Sequence, residues 1–203
     1  MNLIIRWFVK VTGVLPALIF FKPRVKREAK LPKGGVMIVS NHKSLMDFVL
    51  WLLVFWYKSL HTLVAEVLYS KTPVLSWLLN RLGCIKVDRD AKKVDFIEKS
   101  TRLLKKGRTI LVFPEGQLPR GEGLGEFRPS AAYIALESGA TILPVYTDGR
   151  YGLFKRTNCI IGRPTDIYEL ANLTGKESRE EALKKANDAL RDEIMRLSEM
   201  AEG

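Results

Sequence analysis

The chain is poor in the side chains that build covalent or metal frameworks. Its 203 residues include two cysteines and two histidines. Cys84 and Cys159 form no C-x-x-C pair, which excludes a disulfide framework and a cysteine-rich zinc site and fits a reducing compartment. His42 and His61 are too few for a multi-histidine centre, so no metal is expected. Internal repeats, low-complexity tracts and linkers are also missing. An apolar stretch near the N-terminus, Val11–Phe21, has 11 residues. A bilayer-spanning helix needs about 20. Acidic side chains are the minority charge: 22 Asp+Glu against 33 Lys+Arg, a formal net charge of +11.

What is present argues for one folded domain. The composition is 47% hydrophobic and 27% charged, which excludes a mostly disordered chain and supports a sizeable core. The positive charge is uneven, because residues 1–33 alone carry +7. There Trp7, Phe8 and the uncharged Val11–Phe21 are followed by Lys22-Pro23-Arg24-Val25-Lys26-Arg27. Basic residues beside a short apolar segment suit an anionic lipid surface. Residues 1–33 therefore read as an amphipathic, polybasic, helical membrane-association element, and 34–203 as the main domain. Two competing readings remain for this segment. A cleaved signal peptide lacks a small-x-small site, and the alternative is a core helix with a basic turn. Nucleic acid is not expected as a partner, since stacking aromatics do not interleave with the basic residues.

Beyond residue 34, strand and helix signals alternate. Gly35–Ser40, His61–Ala65, Cys84–Val87, Thr109–Phe113, Thr141–Tyr146 and Cys159–Ile161 read as strands. Leu45–Tyr57 is apolar almost all round, as in a buried helix. Thr72-Pro73 starts a helix that Gly83 stops. Ala91–Lys106, Ser130–Ser138 and Glu177–Met200 read as further helices. The pattern predicts an α/β domain, a mixed sheet flanked by helices.

Three strand-to-loop junctions hold the candidate chemistry. After the strand at 35–40 comes Asn41-His42-Lys43-Ser44-Leu45-Met46-Asp47. Ser44 and Asp47 fit a capping box for the helix beginning at Leu45, so Asp47 can fold back toward the His42 imidazole. A carboxylate on one ring nitrogen fixes the tautomer and frees the other to accept a proton. The bland alternative is a cap beside a polar loop histidine. At Phe113-Pro114-Glu115-Gly116, Pro114 ends the best strand, Glu115 presents a carboxylate and Gly116 permits close backbone approach. At Gly83–Arg89 a strand delivers Arg89, whose planar fork suits a phosphate monoester. Taken singly, each of these could be an ordinary turn or a surface arginine.

In this order and spacing the sequence resembles the glycerolipid acyltransferase family, which includes bacterial 1-acylglycerol-3-phosphate acyltransferases. Residues 41–47 match the family's N-H-x-S-x-x-D, and Phe113–Gly116 match F-P-E-G. Gly83–Arg89 resembles a second block, and Ile142-Leu143-Pro144-Val145 a fourth centred on Pro144. The resemblance implies His42 as general base and Asp47 as its support. It implies Arg89, Glu115, Gly116 and Arg120 as substrate contacts, with Asn41, Ser44, Pro114 and Pro144 shaping the motifs. Acyl-carrier protein or acyl-coenzyme A would be the donor co-substrate, with no metal or redox cofactor. A lysophospholipid would be the acceptor, and the site of action the cytoplasmic face of a membrane, entered from one side. Two departures bear on the acceptor. Leu118 stands where the family often has arginine, leaving Arg120 or Arg128 to supply charge, and Ala65-Glu66 replaces a Lys-Glu pair. Another lysophospholipid or an amino-lipid hydroxyl is therefore an alternative acceptor. A non-catalytic membrane-binding module is a further alternative, and the intact His42/Asp47 pair argues against it.

Overall fold

A computed structural model describes residues 20–88, 95–118, 121, 123–153 and 155–202. Most of the N-terminal element, together with Arg89 and Arg120, lies outside the described residues. Among the described residues, seven strands form one sheet: β1 (Pro23–Arg27), β2 (Val36–Ser40), β3 (Leu60–Ala65), β4 (Ile85–Val87), β5 (Thr109–Val112), β6 (Thr141–Thr147) and β7 (Thr157–Ile161). Their order is β1-β7-β6-β2-β5-β3-β4. Strands β2 to β6 run parallel, β7 is antiparallel to β6, and β1 is parallel to β7. The sheet is mixed, as predicted. Parallel pairing sends the ends of β2, β5 and β6 to the same edge.

Alternation along the central strands sorts side chains between two faces. Val36 and Ile38 of β2 join Leu111, Leu143 and Val145 on one face, under α1 (Met46–Val54). Met37 and Val39 join Ile110, Val112 and Ile142 on the other. That second face is covered by α4 (Asp95–Lys105), α5 (Pro129–Ser138) and α7 (Arg179–Glu202). A sheet buried on both faces explains the continuous apolar strands. The short α2 (Glu66–Tyr69) and α3 (Pro73–Leu82) pack with Val64 and Cys84 in a smaller cluster. The helix start at Thr72-Pro73 holds: the Thr72 hydroxyl accepts from Leu75 N at 3.2 Å.

Two short helices escape the sequence pattern, α2 and α6 (Ile167–Leu170). The basic run after Phe21 is also more than a tether. Pro23–Arg27 is the edge strand β1, in register with Thr157–Ile161. Glu28, just past it, receives two bonds from the Arg196 guanidinium of α7, at 2.6 and 3.1 Å. That cation holds the Glu28 carboxyl below the usual range. An N-terminal segment assigned to a surface role thus contributes a strand to the domain.

Trp51 fastens α1 to the end of β2. It is fully buried, and its indole N–H donates to Ser40 Oγ at 2.8 Å. Trp51→Phe removes volume and leaves that hydroxyl without its donor, so it should cost about 2 kcal/mol in urea unfolding.

Candidate active site

Two of the three junctions singled out in sequence, 41–47 and 113–116, meet at the shared carboxyl edge because β2 and β5 are neighbours, joined there by the end of β6. The third follows β4 at the sheet's far edge, and its Arg89 lies outside the described residues. Asn41 leaves β2 fully buried. Its side-chain amide donates to Thr147 O at 2.8 Å, and its Oδ1 accepts from Thr147 N at 2.9 Å. One side chain thus adds a further rung between β2 and β6 and satisfies two buried backbone groups. The next residue, His42, is then aimed across the sheet edge.

Asp47 is also fully buried, in the first turn of α1. Its Oδ2 accepts from His42 Nδ1 at 3.0 Å, Lys43 N at 2.6 Å and Ser44 N at 2.8 Å. The bond to Ser44 N is the carboxylate half of the capping box. The hydroxyl half differs by a residue, since Ser44 Oγ accepts from Met46 N at 3.2 Å and the helix begins at Met46. The N-cap position is thus Leu45, which makes no side-chain cap bond, and Ser44, one residue before it, takes up the Met46 amide instead of serving as the expected cap. The His42 side chain keeps 15% exposure. With a carboxylate acceptor at Nδ1, the proton sits there and Nε2 carries the free lone pair.

Glu115 completes the support from β5. It is 5% exposed, and its Oε1 accepts from His42 N at 2.7 Å while Oε2 accepts from Gly125 N at 2.9 Å. The structure therefore sets the carboxylate beneath the histidine loop, tying two motifs together. Phe113 stacks on the His42 ring with centroids 4.3 Å apart and planes inclined by 23°. Imidazole, backbone and ring face are each fixed by a different neighbour. Buried Pro114 accepts from Arg128 N through its carbonyl at 2.9 Å. This brings Arg128 over Gly116, where a Cβ would fall 2.7 Å from its Nε. Gly116 is thus the residue that lets a guanidinium approach the motif loop. Pro144 is buried within β6 opposite Val39, its carbonyl accepting from Gly162 N at 2.9 Å, a place in the wall.

Sequence reading missed Tyr151. It follows β6 in a glycine-flanked loop, Gly149-Arg150-Tyr151-Gly152, and its hydroxyl donates to Asp47 Oδ1. The only signal was a lone aromatic in a turn at the carboxyl edge. Burial, with Asp47 beside it, pushes the phenol pKa up, so it stays a donor. Leu118, which stands where the family often has arginine, is 38% exposed on the loop past Gly116. Among the described residues, no cluster of three or more His, Cys, Asp or Glu side chains could hold a metal.

Burial pushes the Glu115 carboxyl pKa up, partly opposed by the amides of His42 and Gly125. The folded state therefore binds this proton more tightly than the unfolded chain does. Stability from this group is full below the usual carboxylate pKa and is lost as pH rises through the raised one. Urea unfolding across the weakly acidic range should show that slope, and Glu115→Gln should flatten it.

The acyltransferase family model matches residues 22–148. A probable 1-acyl-sn-glycerol-3-phosphate acyltransferase of Mycoplasma genitalium is 32% identical over 127 residues, 60% of this chain and 47% of that protein. A lyso-ornithine lipid O-acyltransferase of Pseudomonas aeruginosa is 30% identical over 145 residues, 68% of this chain and 50% of that protein. The chain thus spans half or less of the length of these curated relatives. The crystallised 1-acyl-sn-glycerophosphate acyltransferase of Thermotoga maritima shares the fold, with a TM-score of 0.67 and 24% identity over 95% of this chain and 79% of that one. With both motifs on one sheet edge and the family model covering more than half of its length, the chain belongs to the acyltransferase family.

Proposed function

We propose that the protein moves a fatty acyl group from acyl-carrier protein or acyl-coenzyme A to the free hydroxyl of 1-acylglycerol-3-phosphate, giving phosphatidic acid. The observation that carries this reading is the His42 Nδ1–Asp47 Oδ2 contact at 3.0 Å, which leaves Nε2 as a base. The relatives' names supply the acceptor. His42 Nε2 takes the acceptor's hydroxyl proton as the oxygen attacks the thioester carbonyl. The tetrahedral intermediate then collapses, the C–S bond breaks, and the imidazolium returns the proton to the departing thiolate. Asp47 supports the imidazolium electrostatically. Ser44, whose hydroxyl accepts from Met46 N, is left out of covalent chemistry. Arg89, Arg120 and Arg128 are the cations proposed for the acceptor phosphate, with Gly116 giving Arg128 its approach. Glu115, buried with one oxygen on His42 N and the other on Gly125 N, serves this reading by fixing the histidine backbone.

The reaction is placed on the cytoplasmic surface of a membrane, entered from one side. No helix among the described residues is long and apolar enough to cross one. The basic, apolar N-terminus supports such docking, and a basic surface suits an acidic carrier protein. A second acceptor reading rests on Leu118 together with the lyso-ornithine lipid relative: the same chemistry on an amino-lipid hydroxyl.

An acyl-transfer assay with vesicles and a panel of lysolipid acceptors tests both. Phosphatidic acid formation should fall at least about 10²-fold in His42→Ala, and near-normal turnover there would sink the mechanism. Faster transfer to lyso-ornithine lipid than to lysophosphatidate would select the second acceptor. Arg89→Ala and Arg128→Ala should each raise the KM for a phosphorylated acceptor with kcat little changed. A variant with unaltered acceptor dependence removes that arginine from the phosphate site.

A further inference from the structure

General-base chemistry at His42 accounts for three of the four donors on Asp47. All three fall on Oδ2: the imidazole itself and the amides of Lys43 and Ser44. It does not account for the fourth, the Tyr151 hydroxyl, which donates to Oδ1. Among the described residues no other donor reaches Oδ1. Without it that oxygen is a buried acceptor left unpaired, which is unfavourable. Rotating the carboxylate or protonating it relieves the cost, and either response alters what His42 feels.

The tyrosine is itself held in place. Gly149 lets its loop press on the histidine loop, since a Cβ there would lie 2.6 Å from Lys43 Cβ. Thr157 Oγ1 donates to Arg150 O at 2.7 Å, and Gly152 N donates to Phe20 O at 3.4 Å. The ring meets Phe21 edge-on, centroids 5.2 Å apart and planes at 80°. Phe21 is 3% exposed and in turn meets Phe20 edge-on at 5.3 Å. These two phenylalanines end the apolar stretch that precedes β1.

We propose that Tyr151 is a positioning residue for acyl transfer, keeping Asp47 Oδ2 on His42 Nδ1, and that Phe21 braces it. The proposal rests on His42–Asp47 being the base pair. Its consequence is that seating of the segment before β1 is read directly by the catalytic geometry. The other titratable groups near the pair are Glu115, on whose carboxyl the Lys43 charge acts, and, near the tyrosine, the Cys159 thiol with Asp148 beside it. None of these is altered in Tyr151→Phe.

The sign of the effect follows from the charge on Asp47. A phenol bond withdraws negative charge from the carboxylate, so losing it makes the dyad as a unit take up a proton at higher pH. The protonated dyad cannot act as base. In Tyr151→Phe the acidic limb of kcat/KM should therefore move to higher pH, with kcat falling about 10-fold or more and KM little changed. The assay uses the full chain and the lysolipid of the panel above that wild type turns over fastest, with His42→Ala alongside. Loss in His42→Ala with an unshifted Tyr151→Phe profile overturns the positioning role and leaves the base intact. Near-normal turnover in His42→Ala overturns both. Phe21→Leu should slow the wild type yet add nothing to the kcat loss in the Tyr151→Phe background. Additive losses would remove Phe21 from the chain of contacts.

Discussion

A carboxylate with no access to water must be paired on every side, and Asp47 is where this protein meets that demand. Burying an ion alone is prohibitive, so the surrounding chain is constrained to bring donors to it. The loop amides of Lys43 and Ser44, the imidazole of His42 and the phenol of Tyr151 all converge for that reason. Its place in the first turn of α1 adds the favourable end of the helix dipole. The orientation of His42 is thus a by-product of pairing a buried carboxylate on both of its oxygens.

The same logic repeats on a larger scale at the sheet edge. Asn41 stitches the end of β2 to Thr147 of β6, and Glu115 at the end of β5 reaches the backbone of His42 and of Gly125. Polar side chains here act as backbone surrogates, closing hydrogen bonds that the strands no longer supply. Because β5, β2 and β6 are adjacent and parallel, motifs far apart in sequence reach one place with little loop. Apolar packing fixes the strands; buried amides and carboxylates fix what projects beyond them.

That division explains what could be read from the sequence. Periodicity and caps give Val36–Ser40, Thr109–Val112 and the Thr72-Pro73 helix start, since each depends on local chemistry. His42 and Asp47 were legible because the capping geometry between them is also local. The edge strand Pro23–Arg27 was not, since its pairing partner lies at Thr157–Ile161 and its composition is that of a solvated run. Tyr151 was illegible for a similar reason. Its partner Asp47 is 104 residues away in sequence, and an isolated tyrosine in a turn carries no period. Glu115 was recognised as a carboxylate at a strand end, while its inward direction follows from Gly125, a residue with no motif of its own.

The position of β1 has a consequence for how the molecule behaves among copies of itself. A sheet ends in rows of unpaired amides and carbonyls that invite another chain to continue it. Here one terminal strand is PRVKR, with proline first and Arg24, Lys26 and Arg27 exposed. The opposite terminal strand, Ile85–Val87, has three residues and carries exposed Lys86 at its middle. Proline denies a donor, like charges repel an incoming strand, and brevity limits what it could gain. The basic run therefore guards this edge of the sheet against strand addition by another copy of the chain.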